Sequence, residues 1–151
     1  VRVLAIGRGR KSPETELFER YAKRIKPLLT LQDFDDGHGA PAEIKRREAV
    51  VLLAAAETSD FVVALDTDGS APDSLELAKM LGRWRETGRR LSFVIGGAEG
   101  LDAAVIARAD AKLSLGRLTW PHMLVRVMLA EQIYRAQMIN TGHPYHRAGR
   151  P

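Results

Sequence analysis

The chain has 151 residues, 45% of them hydrophobic and 28% charged, which is enough for one ordinary domain to bury a real core. It contains no cysteine, so disulfides, thiol catalysis and cysteine-ligated metals are excluded, and a reducing cytoplasm is the expected compartment. No apolar run approaches the ~18 residues that cross a bilayer, so no membrane association is expected, and VRVLAIG does not read as a signal peptide.

Apolar and β-branched runs then alternate with helical patterns. Residues 1–7 predict a strand. Residues 12–26 predict a helix with Ser12 as N-cap, Pro13 at the first helical position and Glu14 and Glu16 in the first turn. A strand over 28–34 leads into the turn-rich DDGHGAP (35–41) and a helix over 42–57. FVVALD (61–66) predicts a third strand, ended by the breaker run TDGSAPD, and 74–88 a helix closed by Gly88. Then come a strand over 91–97, a short helix over 101–109, a strand over 111–116 and a last helix over 121–139. Such alternation predicts one α/β domain over 1–151, with a mostly parallel sheet and helices on both faces.

Charge is unevenly placed within the net +4. Residues 2–26 hold eight bases against three acids, 27–116 ten against fifteen, and 117–151 five against one. Basic ends that meet in space would make a positive face suited to a polyanion, and scattered solvated charge is the plain alternative.

In a parallel sheet, ligands bind beyond the carboxyl ends of the strands. Three strand ends are unusual here: ALDTDG (64–69), IGGAEG (95–100) and LGRLTWPH (115–122). Their glycines let backbone approach a ligand closely, or simply serve tight turns. Phosphate motifs fail on spacing. GRGRKS (7–12) is not a P-loop, GGAEG is not an early G-x-G-x-x-G, and no G-x-S-x-G elbow is present. GHPYHR (142–147) spaces two histidines three apart, but with few acids nearby no metal is expected. A tail holding His, Tyr and Arg suits reading or deprotonating a substrate, or packs Tyr145 on the core.

LSFVIGGAEG, LTWPHMLVRVMLAEQIYRA and GHPYHR together resemble the SPOUT-class methyltransferases, and most closely the bacterial large-subunit ribosomal RNA methyltransferase H family. The resemblance covers nearly the whole chain. It implies a C-terminal trefoil knot, S-adenosylmethionine as cofactor, and N3 of a pseudouridine in large-subunit ribosomal RNA as target. It also implies a cytoplasmic homodimer in which each tail completes the partner's site. The cofactor pocket would be formed by Leu65, Gly97 and the run Gly116, Arg117, Leu118, Thr119, Trp120 and Pro121. Trp120 stands where the family commonly has leucine, and Gly142 where it commonly has asparagine.

A pseudouridine N3–H is a weakly acidic imide, so a base or a charge-stabilising cation would help. The candidates are His146 as base, Tyr145 and Arg147 to position or neutralise the ring, Arg8 from the first strand end, and Glu99 to orient the cofactor amine. A SPOUT enzyme acting on transfer RNA and an RNA-binding module without chemistry are the alternatives.

Overall fold

The computed structural model describes residues 1–149; Arg150 and Pro151 lie outside the described residues. Five strands, β1 (Arg2–Ile6), β2 (Thr30–Phe34), β3 (Phe61–Ser70), β4 (Leu91–Ile95) and β5 (Ala111–Leu113), form one sheet in the order β2-β1-β4-β3-β5. Every pairing is parallel. The helices are α1 (Pro13–Ala22), α2 (Pro41–Ala55), α3 (Ser74–Glu86), α4 (Ala103–Arg108) and α5 (His122–Asn140).

The sheet is covered on both faces, which explains why the inner strands β1 and β4 carry no exposed side. In β1, Val3 and Ala5 pack with Phe18 of α1, Leu81 of α3 and Ile133 of α5. Leu4 and Ile6 point the other way, onto Leu52 of α2 and Val105 of α4. All four β1 residues are wholly buried. At ~1.5–3 kcal/mol for each large apolar side chain, these two layers supply the main drive to fold.

Local chemistry sets the helix ends. Ser12 Oγ accepts the Thr15 N–H at 3.2 Å, and Asp73 and Glu76 form a reciprocal capping box at the start of α3. Gly88, at φ +70°, follows α3 as expected. Helix α1 ends at Ala22, earlier than the pattern predicts. Ile25 turns into the core, and Gln137 of α5 pairs with both the N–H and the carbonyl of Lys26. Pro27 just beyond cannot extend a helix.

Strand β3 departs from its predicted end. It continues through the breaker run to Ser70, with a register shift against β5 between Leu65 and Ser70. Gly69 makes this possible, because a Cβ there would sit 2.7 Å from the Leu113 backbone nitrogen. The bulge pushes Asp66 and Thr67 out at the carboxyl end of the sheet.

Connections also part at that end. The chain leaves β4 toward the α2/α4 layer, but leaves β1 and β3 toward the α1/α3/α5 layer. Crevices therefore open on both sides of the β4 terminus, where open α/β sheets hold their ligands.

Candidate active site

A cavity of about 290 Å³ occupies this end of the sheet. Its walls come from the β3 bulge, the loop after β4 and the loop between β5 and α5. Of the sequence candidates, Leu65, Gly97, Gly116, Leu118, Thr119 and Trp120 line it, as does Glu99. Arg117 is exposed and Pro121 is the N-cap residue of α5; neither is among the lining residues.

The glycines divide the work. Gly100 N–H bonds the Gly97 carbonyl at 3.1 Å, folding the loop into a tight return. A Cβ on Gly96 would strike the Gly100 backbone at 2.8 Å. Gly116 has φ +107°, and a Cβ there would meet nothing within 4 Å. Gly97 differs from expectation. Its missing side chain would point away from any ligand, to within 2.9 Å of Glu48 Oε1 on α2.

Sequence reading overlooked Asp66, Ser114, His122 and Val125 as wall residues. Asp66 and His122 stood within the quoted strand-end motifs, but the direction of a loop side chain has no period to read. The walls fit a cation carrying an apolar body. Leu65, Ile95, Leu101 and Trp120 supply apolar surface, while Asp66 and Glu99 supply carboxylates.

The tail lies elsewhere on the same chain. Tyr145, His146 and Arg147 line a second hollow with Ser74, Gln132 and Arg135, sharing no residue with the cavity. Tyr145 stands edge-on to Tyr134, with ring centres 4.8 Å apart, and donates to Glu131 Oε1 at 3.1 Å. Burial, then the Glu131 charge and its hydrogen bond, push the Tyr145 phenol up to about 12. It is therefore a neutral donor at physiological pH. Arg135 Nη1 lies 3.3 Å from His146 Nδ1. An arginine only donates, so Nδ1 accepts and the His146 proton sits on Nε2.

A family model described as "Predicted SPOUT methyltransferase" matches residues 1–146. A protein of Acidiphilium cryptum named ribosomal RNA large subunit methyltransferase H is 59% identical over 151 residues, covering 100% of this chain and 96% of that one. The protein of the same name from Gluconacetobacter diazotrophicus is 56% identical, covering 100% and 99%. The chain belongs to the ribosomal RNA large subunit methyltransferase H family. It is thus a SPOUT methyltransferase, and its cavity is where a methyl donor is to be sought. A probable methylase family protein of Haemophilus influenzae superposes with a TM-score of 0.56 at 10% identity, covering 99% of this chain and 71% of that one, which shows the shared fold. Among the described residues no helix is long and apolar enough to cross a membrane, and no three His, Asp or Glu side chains gather to hold a metal.

Proposed function

We propose that this methyltransferase uses S-adenosylmethionine to methylate N3 of a pseudouridine in large-subunit ribosomal RNA, acting in the cytoplasm as a single-domain homodimer with a C-terminal trefoil knot. The observation that carries this reading is the cavity itself, glycine-floored, apolar-walled and bearing Asp66 and Glu99, in a chain 59% identical to a named relative. The sulfonium supplies an activated methyl group, so the protein's task is alignment and proton management.

Leu65, Gly97 and the Gly116–Pro121 loop would hold the cofactor, with Glu99 or Asp66 facing its ammonium. Tyr145, His146 and Arg147 would grip the target base from the partner's tail. As placed here they offer donors: the Tyr145 phenol, the His146 Nε2–H and the Arg147 guanidinium. Such donors suit the two carbonyls that flank the imide nitrogen and take up its charge. The separation of tail and cavity within one chain supports a shared site. So does an apolar groove lined by Leu17, Tyr21, Val127 and Met128, which shares Gly116 with the cavity and Ser74 with the tail hollow.

Calorimetry with S-adenosylhomocysteine tests the cofactor, and mass mapping of 23S RNA from a deletion strain tests the target. A missing N3-methyl that returns on complementation is expected. An unchanged map would overturn the assignment.

A further inference from the structure

If the tail supplies donors, the proton on the imide needs an acceptor from elsewhere. The cofactor cavity contains one titratable nitrogen base, His122. It opens α5, directly after the loop that closes the cavity. Its ring reaches across to the end of β1, where a Cβ built on Gly7 would stand 2.7 Å from Nε2 and 3.2 Å from Cδ2. Gly7 has φ +93°, so it is glycine both for its backbone conformation and for the room this ring needs.

One turn further on, Arg126 converges on the same glycine. It is 2% exposed and the largest fully buried side chain. Its Nη2 donates to the Ile6 carbonyl at 2.7 Å and to the Gly7 carbonyl, while Nε and Nη1 have no hydrogen-bond partner and Nη1 stands 4.0 Å from Asp33 Oδ2. Burial works against its charge, partly offset by Asp33 and Asp36. The guanidinium thus pins to α5 the β1 terminus against which the ring of His122 packs. Among the described residues, the histidine side chains in hydrogen bonds are His143 and His146. Neither ring nitrogen of His122 is engaged in a hydrogen bond with the described residues.

We propose that His122 is the catalytic base of its own chain's site, and that Arg126 is a positioning residue that acts through Gly7. This rests on the imide target proposed above. The proton on N3 moves to a ring nitrogen of His122, the N–H electron pair stays on N3, and the imidazolium later releases its proton to solvent. The charged groups at this corner are Arg126 on α5, with Asp33 and Asp36 acting on it, Arg8 beside Gly7, and Asp66 and Glu99 in the cavity wall. Of these, Arg8 is turned outward onto Asp35 at 2.7 Å.

The test uses the full chain, its ribosomal substrate and four variants. His122→Ala and His122→Gln should bind S-adenosylhomocysteine within about threefold of wild type, which also reports that they fold. Their single-turnover methylation should fall by roughly a hundredfold, the scale of general-base loss, and should climb with pH where wild type levels off. Arg126→Lys should recover more of kcat than Arg126→Met at similar cofactor affinity. In protein saturated with S-adenosylhomocysteine, the His122 ring resonances should move on adding an RNA fragment that carries pseudouridine. A His122→Ala rate within threefold of wild type would overturn the inference, as would a tenfold loss of S-adenosylhomocysteine affinity or unmoved resonances. A wild-type protein that leaves N3 unmethylated would instead sink the proposed function itself.

Discussion

Glu48 and Gly97 meet behind the cavity at the carboxyl end of the sheet. The Glu48 side chain is buried on α2 and accepts the Gly37 N–H at 3.0 Å through Oε1. Its Oε2 has no partner, and a Cβ on Gly97 would lie 2.9 Å from Oε1 and 3.1 Å from Oε2. Gly97 is therefore glycine because of what stands behind the loop, not because a ligand needs its space. Gly97→Ala should push the loop forward into the cavity and weaken S-adenosylhomocysteine binding at least tenfold. Glu48→Ala alone should cost about 1–3 kcal/mol of stability through the orphaned Gly37 N–H. Combined, the two changes should bind better than Gly97→Ala alone, with a coupling of about 1 kcal/mol in a double-mutant cycle. Strictly additive losses would show that the carboxylate does not hold the loop.

At the opposite end of the sheet, Asp60 is wholly buried. It binds Arg2 at 2.5 Å, and Arg90 and Ser92 each at 2.9 Å. Burial acts to raise its carboxyl, but the bonds from Arg90, Arg2 and Ser92 outweigh it and hold the group below the usual carboxylate range. A depressed folded value means its stabilisation is full above the unfolded value near pH 4 and is lost as pH falls through the folded value. Urea midpoints should drop on acidification below about pH 4. Asp60→Asn should cost roughly 3 kcal/mol at pH 7, since it leaves Arg2 uncompensated, and should flatten the acid limb. An acid limb identical to wild type would assign the pH dependence to other carboxylates.

The strand and helix pattern was legible because period and caps are local. Val3 to Ile6, Ser12, Pro13 and the Asp73–Glu76 box each act within a few residues. The end of α1 was not, since it depends on Ile25 turning inward and on Gln137, 111 positions away from Lys26. The β3 extension was equally hidden, because Gly69 reads as a breaker until the Leu113 backbone is placed against it. Within the site, the three strand ends could be located, but not which atoms face inward. Gly97 lines the cavity while its Cβ direction serves Glu48, and His122 faces the cavity although it resembles any residue opening a helix.

The basic start of the chain carries a prediction about RNA. Arg10 and Lys11 are exposed on the loop after β1, on the crevice side of the sheet. If they meet phosphates, affinity should fall roughly a thousandfold or more between low and moderate salt, through counterion release at several contacts. Replacing both with alanine should lower the slope of log K against log salt by about 1.5 to 2. A slope unchanged by the double substitution would place the RNA on another face.

The tail offers the sharpest test of the dimer. Arg24 lies 4.1 Å over the Tyr134 ring, and Tyr134 in turn braces Tyr145. Tyr145 and His146 are thereby held on α5, clear of their own chain's cavity. A tail that works in the partner's site makes two kinds of inactive protein complementary. His146→Ala should lose about a hundredfold in turnover with cofactor affinity unchanged, as removal of one preorganised donor does. Gly97→Ala, assayed at a cofactor concentration far below its own Kd, should be idle with its tail intact. Each homodimer alone is then inactive. Mixed after unfolding and refolding together, they should recover about a quarter of the wild-type rate, because half the dimers are mixed and each of those has one intact site. Two tail variants mixed with each other, Tyr145→Phe and His146→Ala, should recover nothing comparable, since no site then receives a whole tail. Absence of recovery in the first mixture, with mixed dimers confirmed by native mass spectrometry, would mean that each tail serves its own chain. The seat on α5 would then have to open before the RNA is engaged.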